Sequence, residues 1–253
     1  ALVFGSNHDP RQPALAIYEP QNGSKRELQI DAKYIRRAQW VEHGTAIMAP
    51  GETRDGIQGQ LRINPSTGEA RLFMTAKDLE TAFEGVWSAD GKIHFNRYQN
   101  FRRGIFHLNT ETRERRVLYV PPPGVDVGTE NLALSPDGRT LAFQARNDAA
   151  QTSALMLIPA DGGEALPLLT INRPEVFLFG SFTWTPDSRR VLTARTRHGV
   201  SEIWQVPVDG SSPGKIEFPA MRIACLRLSS DGRTIAFMRT NFRSEIWVLR
   251  NFL

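Results

Sequence analysis

Long apolar runs are missing from this chain of 253 residues, and cysteine is almost absent. No hydrophobic stretch approaches the roughly 18–20 residues that a helix needs to cross a bilayer, so the sequence predicts no membrane segment. The one cysteine, Cys225, cannot form an internal disulfide, and its apolar setting, IACLRL, favours a buried structural thiol over a reactive one. One cysteine is compatible with a reducing or an oxidising compartment, so the localisation stays open.

Lysine is also scarce, and arginine carries most of the positive charge. Lys occurs only at positions 25, 33, 77, 92 and 215, the formal net charge is +4, and the pI is near 9.5. So weak a bias does not indicate nucleic acid as a partner. Guanidinium groups suit bidentate recognition of carboxylates or phosphates, although a G+C-rich genome explains the preference for arginine equally well.

Catalytic signatures are missing too. The chain has no G-x-S-x-G, no H-E-x-x-H, no Walker loop and no strand-led G-x-G-x-x-G. Five of its Asp-Gly pairs lack the closely spaced carboxylates of a calcium loop and are typical of turns: 90–91, 137–138, 161–162, 209–210 and 231–232. The sequence therefore predicts no catalytic residue, no metal and no cofactor, and we expect a protein that is not an enzyme.

The feature that stands out is a hairpin, residues 131–146, NLALSPDGRTLAFQAR. Apolar residues alternate with polar or small ones on both arms, which is the period of a β-strand. Between the arms, Pro136 fixes φ, Asp137 can bond nearby amides, and Gly138 accepts the positive φ of a tight turn. A lone hairpin is marginal in water, so the repetition of this unit decides the fold.

The hairpin belongs to a unit that recurs along the whole chain. The last apolar residue before each turn marks an inner strand, and these anchors follow one another at 44 to 50 residues: Trp40, Trp87, Leu134, Trp184 and Leu228. Each unit has a second strand and then a third, the third reading ALAIYEP, GQLRINP, GIFHLNT, ALMLIPA, SEIWQVPV and SEIWVLR. Weaker fourth strands are predicted around Glu27–Ile30, Arg71–Met74, Arg116–Tyr119, Ala165–Leu169 and Lys215–Phe218.

Four antiparallel strands repeated at this spacing are typical of a β-propeller blade. The sequence predicts one all-β domain over 1–253, a propeller of six four-stranded blades, with units at approximately 1–32, 33–77, 78–121, 122–171, 172–219 and 220–253. The opening residues, LVFGSN, match a second strand, so the first blade is expected to lack its inner strand and the last its fourth. We expect a longer protein in which a segment upstream of Ala1 supplies both. A helix of one or two turns is predicted between blades in 76–85.

The turn sequences resemble a known repeat. WSADGK, LSPDGRTLAF, WTPDSRRVL and LSSDGRTIAF are similar to the core of TolB-type propeller repeats, a PD-containing, WD-like family, and SEIWQVPVDG and SEIWVLR are similar to its third strand. The resemblance implies a non-catalytic binding or sensory module of a larger bacterial protein, periplasmic and tethered to another domain upstream. Similar propellers occur in enzymes, so the alternatives are a gating domain of the prolyl oligopeptidase type and a metal-dependent, lactonase-type hydrolase using the central channel.

One group of candidate residues stands three positions before each anchor and is expected at the mouth of the central channel: Arg37, Glu84, Asn131, Ser181 and Cys225. A metal-dependent propeller hydrolase would place several carboxylates and amides there. Only Glu84 and Asn131 qualify, so no metal is expected. His94 takes a second-strand position, and we expect a core histidine, because the alignment places no second acid–base group beside it.

A second group lies in loops between second and third strands, which a ring of blades would bring to one rim: Arg102, Arg103, Arg146, Arg195, Arg197, His198, Arg239 and Arg243. Clustered guanidinium groups raise the local concentration of anions. We therefore expect a protein or peptide partner, or a small anionic ligand, at this rim, and the alternative is a solvated rim with no ligand. One turn has Ser188 where the other four have glycine, which predicts a positive φ at a non-glycine residue.

Overall fold

A computed structural model describes residues 1–6, 13–79, 85–97 and 104–239, which form antiparallel β-sheets joined by turns, with one short helix. Four of the predicted site residues lie outside these ranges: Glu84, Arg102, Arg103 and Arg243. No helix in the described part of the chain is long and apolar enough to cross a membrane.

Five sheets follow one another along the chain as the blades of a β-propeller. The first blade contains β1 (Leu2–Ser6), β2 (Ala14–Glu19) and β3 (Ser24–Gln29). The second contains β4 (Tyr34–Ile35), β5 (Gln39–Val41), β6 (Ala46–Glu52), β7 (Gln58–Ile63) and β8 (Ala70–Thr75). Helix α1 (Ala76–Leu79), the short helix that the sequence predicts, leads to the third, which contains β9 (Gly85–Trp87), β10 (Ile93–Arg97), β11 (Ile105–Asn109) and β12 (Arg115–Tyr119).

The last two blades have longer strands. The fourth contains β13 (Val125–Leu134), β14 (Thr140–Asn147), β15 (Thr152–Pro159) and β16 (Leu166–Asn172). The fifth contains β17 (Val176–Trp184), β18 (Arg190–Arg197), β19 (Val200–Pro207) and β20 (Gly214–Met221). A two-stranded hairpin of β21 (Ile223–Leu228) and β22 (Ile235–Arg239) follows.

The all-β propeller is confirmed, but the prediction of six four-stranded blades is wrong for the described residues, which form five. The sixth repeat contributes only the hairpin of β21 and β22, because its predicted third strand, SEIWVLR, falls outside the described ranges. Within the described residues the first blade has three strands, and β1 takes the position of a second strand, in agreement with the match of LVFGSN to second strands. The second blade has five, since two short segments, β4 and β5, both pair with the inner side of β6.

Irregular pairings interrupt three of the inner strands around the channel. Register shifts interrupt β13 between Gly128 and Leu132, β17 between Phe177 and Phe182, and β21 between Ala224 and Arg227. A bulge of this kind re-aims the side chains around it. The bulged stretches contain Asn131, Ser181 and Cys225, three of the five residues predicted at the channel mouth, so these three positions are structurally equivalent.

The apolar core lies between neighbouring blades. Leu141 and Phe143 of the fourth blade are fully buried against the third, and Trp184 of the fifth is buried in a cluster with Leu155 of the fourth. Burying a side chain of this size contributes about 1.5–3 kcal/mol. The anchors are core residues as predicted, with Trp87 and Trp184 buried and the other three half-buried.

Candidate functional site

The site that the fold assembles is the central channel. Inner strands β5, β9, β13 and β17, together with β21, surround a cavity of about 200 Å³. Apolar residues such as Val86, Ala133 and Phe182 line it together with the polar residues Gln39 and Thr183. Two arginines also line it, Arg37 just before β5 and Arg227 on β21, and they set its charge.

Arg37 reaches across the channel from the second blade. Its guanidinium Nη2 donates a hydrogen bond of 2.6 Å to the backbone carbonyl of Glu130 in the fourth blade. Gly180 of the fifth blade makes room for it: a Cβ at that position would lie 2.8 Å from Nη2 of Arg37 and 2.9 Å from Cα of Cys225. Gly180 also has φ of +63°, which disfavours any residue with a side chain. This glycine is therefore required by both space and backbone conformation.

Arg227 is half-buried on the other side of the same cavity. Its Nη1 donates to the backbone carbonyl of Leu226 at 2.8 Å. Burial lowers the pKa of Arg227 to about 10, and the positive charge of Arg37 is the next cause. Since that pKa is well above neutrality, the guanidinium group of Arg227 is protonated at pH 7. Within the described residues, neither Arg37 nor Arg227 forms an ion pair with a carboxylate.

Two of the other predicted channel residues brace the wall. Asn131 and Ser181 are both buried. The side-chain amide of Asn131 donates to Oε1 of Gln144 at 2.8 Å, and its Oδ1 accepts from the backbone N–H of Ser181 at 2.7 Å. The hydroxyl of Ser181 donates to the carbonyl of Leu178. These contacts join β13 to β17, so the polar atoms of both side chains are already hydrogen-bonded within the protein.

Cys225 is a free thiol that is half-buried beside Gly180, with φ of +52° in the bulge of β21. The expectation of a fully buried thiol therefore does not describe it. Groups of three or more His, Cys, Asp or Glu that could hold a metal ion do not occur within the described ranges.

The predicted rim residues divide into paired and unpaired groups. Arg146 lies 3.2 Å from Asp148 and 3.9 Å from Asp126. Arg195 contacts Glu175 at 2.6 Å. The three that are exposed and have no ion pair among the described residues are Arg197, His198 and Arg239. Intramolecular carboxylates thus neutralise two of the candidate arginines, and the strongest unpaired cationic site is the channel.

Sequence reasoning missed Arg227, although a signal was present. The residue just before each anchor faces the cavity, and the five inner strands have there Gln39, Val86, Ala133, Thr183 and Arg227. Arg227 is the only charged member of that set. His94 is a buried core residue as expected, stacked 4.3 Å from Trp87, but its Nε2 has no hydrogen-bond partner. Burial lowers its pKa to about 3, so the ring is neutral.

Comparison with known proteins supports the fold. No protein-family model matches the chain. Among curated proteins, lipoprotein LpqB of Streptomyces coelicolor is 30% identical over 100 residues, which cover 37% of this chain and 16% of LpqB.

Solved structures are similar over most of the chain. TolB from Acinetobacter baumannii superposes with a TM-score of 0.69 at 12% identity, covering 89% of this chain and 53% of TolB. A structure of the nidogen–laminin complex gives 0.65 at 12% identity, covering 94% of this chain and 84% of the matched chain. The resemblance to TolB-type propellers is thereby confirmed at the level of the fold, and the chain spans about half the length of TolB.

Proposed function

We propose that this chain is a non-catalytic binding module of a bacterial envelope protein, which holds an anionic group of a peptide, protein or small ligand between Arg37 and Arg227. The observation that carries the proposal is the convergence of two arginine guanidinium groups on one cavity, with no carboxylate partner for either among the described residues. The similarity of part of the chain to a lipoprotein supports the envelope assignment, and the nidogen–laminin structure shows that one propeller of this fold belongs to a protein–protein complex.

A bound anion would offset two energetic costs at this cavity. Two like charges at the same cavity disfavour each other, and burial removes part of their hydration. A bound carboxylate or phosphate would offset both costs and accept charge-assisted hydrogen bonds, for which planar guanidinium groups are well suited. A cavity of about 200 Å³ is small and fits one charged group or the tip of a side chain rather than a whole drug-sized ligand.

The test is calorimetric titration of the protein with citrate, inorganic phosphate and a peptide that ends in two glutamates. A hydrogen bond to a charged group contributes about 1.5–3 kcal/mol, so Arg37→Gln or Arg227→Gln is expected to weaken binding roughly 10- to 100-fold. Affinity should also fall as salt rises, because the Debye length shrinks from ~10 Å at 0.1 M to ~3 Å at 1 M.

Arg197→Gln is the matched control, since this arginine is exposed on the rim and has no ion pair among the described residues. If Arg197→Gln weakens binding as much as Arg37→Gln does, the rim is the site and the channel proposal fails. The enzymatic alternative is distinguished by recovering the ligand after incubation: a binding module returns it chemically unchanged, whereas a hydrolase converts it.

A further inference from the structure

A cavity of about 570 Å³ lies between the third and fourth blades, beside their hairpin turns. The fourth blade borders it with Leu134 at the end of β13, with Gly138 and Arg139 in the turn, and with the end of β15. Among the described residues that line this cavity, only Leu134 also lines the channel cavity. A cavity of this size is typical of sites for small organic ligands, whereas the channel cavity is smaller, at about 200 Å³.

The cavity exists because the third and fourth blades are spaced apart at their turns. The turn glycine of the third blade is Gly91, and a Cβ on it would lie 3.6 Å from Cβ of Val41 in the second blade. Gly232 has the same position in the hairpin of β21 and β22, and its Cβ would lie 3.3 Å from Pro186 of the fifth blade. Gly138 is the equivalent residue of the fourth blade, and a Cβ there would meet nothing within 4 Å. The other two turns thus pack against the preceding blade, and this one leaves a gap.

One row of side chains forms the wall that the third blade contributes. Phe95 on β10 lies opposite His107 on β11, which lies opposite Arg116 on β12. Side chains paired in this way point to the same face of a sheet, and all three residues line the cavity. Phe95 is buried, His107 is half-buried with its ring centroid 5.6 Å from that of Phe95, and Arg116 is exposed. The wall therefore changes from apolar at its inner end to cationic at its outer end.

The lining residues carry more positive than negative charge. Arg116 and Arg139 contribute two guanidinium groups, and Asp161 is the one carboxylate among the described residues of the lining. Neither arginine forms an ion pair with Asp161 or with another carboxylate in the part of the chain that the structure describes. His107 adds no charge at pH 7, because burial and then the positive charge of Arg116 lower its pKa. The opening of the cavity is therefore suited to an anionic group.

We propose that this cavity binds a small amphipathic acid, an organic molecule with one carboxylate and an apolar body of about six to twelve carbon atoms. The apolar body lies against Ile93 and Leu134, which are half-buried, and removes their remaining apolar surface from water. The carboxylate lies at the opening and pairs with the guanidinium groups of Arg116 and Arg139. These contacts do not use the channel arginines, so the site is independent of the function proposed above.

The test is displacement of anilinonaphthalene sulfonate, an apolar anionic dye that fluoresces in such sites, from the 253-residue protein. Displacement by phenylbutyrate should be saturable with a Kd of about 1 mM, the range of a ligand with a dozen non-hydrogen atoms. Phenylbutanol has the same apolar body without the negative charge. It should bind about 5-fold more weakly than the acid, because it forms no ion pair with either arginine.

Arginine variants identify the groups that hold the carboxylate. Arg116→Gln and Arg139→Gln are each expected to weaken binding of phenylbutyrate about 2- to 5-fold, as for an exposed ion pair, and the double variant should lose more than either. Arg189→Gln is the matched control, since Arg189 has the position of Arg139 in the turn of the fifth blade, is exposed and does not line the cavity. It should leave the affinity unchanged. Arg37→Gln should change it less than about two-fold, even where citrate binding is lost, so the two sites are tested separately.

A photoreactive acid locates the site directly. A diazirine-substituted benzoate combines an apolar body with one carboxylate, and on illumination it should label peptides that contain residues 88–95 or 134–139, as identified by mass spectrometry. Absence of saturable displacement up to about 20 mM phenylbutyrate overturns the proposal. Equal affinities for the acid and the alcohol, an effect of Arg189→Gln as large as that of Arg139→Gln, or labelling confined to other peptides overturn it as well.

Discussion

At the scale of single residues, the same hydrogen bond between a hydroxyl and a carboxylate recurs in four of the hairpin turns. In the fourth blade, the hydroxyl of Ser135 donates to Asp137 at 2.5 Å and accepts from the amide of Thr140 at 2.9 Å. Asp137 also accepts from the amide of Arg139 at 3.0 Å. The same contacts recur in three other turns, formed by Ser88 with Asp90, Thr185 with Asp187, and Ser229 with Asp231. These bonds hold the pKa of Asp137 below its ordinary value, the hydroxyl being the largest cause.

The turn of the fifth blade yields a first prediction. Ser188 has φ of +58°, which confirms the positive φ predicted from sequence. Its hydroxyl accepts a hydrogen bond of 3.2 Å from the amide of Asp137 in the turn of the fourth blade. Ser188→Gly relieves roughly 1 kcal/mol of strain but loses that bond, so the free energy of unfolding should change by less than about 0.5 kcal/mol. Ser188→Ala keeps the strain and loses the bond, and should cost about 1 kcal/mol. Urea denaturation measures both, and equal values for the two variants would contradict this explanation.

His94 yields a prediction about pH. Its pKa is about 3 in the folded protein, because burial disfavours the charged ring, and about 6.5 in the unfolded chain. Between these values the unfolded state binds the extra proton, so stability is lost as the pH falls below 6.5. The contribution of this group between pH 7 and pH 5 is about 2 kcal/mol. His94→Phe should flatten the profile by that amount in denaturant titrations at both pH values. Parallel profiles for the two proteins would show that His94 is not the titrating group.

At the scale of elements, the bulged inner strands connect the backbone to the channel. β17 bends at the stretch that contains Gly180, and that bend brings its backbone against both Arg37 and the bulge of β21. A side chain at position 180 would displace the guanidinium group of Arg37. The bulge is therefore the local structure on which the position of Arg37 depends.

A pair of glycine substitutions tests this dependence. Gly180→Ala places a Cβ 2.8 Å from Nη2 of Arg37 in a residue with positive φ, so it should lower stability by more than ~1 kcal/mol and weaken anion binding. Gly138→Ala also has positive φ, +73°, but meets nothing within 4 Å. It should cost about 1 kcal/mol and leave binding unchanged. Thermal unfolding and calorimetric titration measure the two effects. An unaltered affinity in Gly180→Ala would show that anion binding does not depend on the bulge of β17.

At the scale of the whole molecule, the propeller brings two like charges to its centre. Arg37 and Arg227 come from repeats far apart in sequence, and only the arrangement of the inner strands places them at one cavity. Arrangements that favour a ligand commonly cost stability in its absence. The free protein is thus expected to be less stable than one with a neutral channel.

Arg227→Met tests this trade-off. The substitution removes a half-buried charge that faces Arg37 and keeps an unbranched side chain of similar length. Without ligand, the melting temperature should stay the same or rise, while binding of citrate or phosphate is lost. A melting temperature several degrees lower would mean that Arg227 mainly supports the fold through its bond to the carbonyl of Leu226.

The sequence by itself determined the local structure of this protein. Strand positions, the turns and the short helix after β8 follow from alternation and turn chemistry, which act over a few residues. The positive φ of Ser188 follows from its alignment with Gly138 in the same turn.

Only the tertiary structure decided which charges meet. The convergence of Arg227 on Arg37 and the hydrogen bond from Arg37 to Glu130 depend on contacts between blades. Such contacts join residues tens of positions apart, and no periodicity in the sequence encodes them.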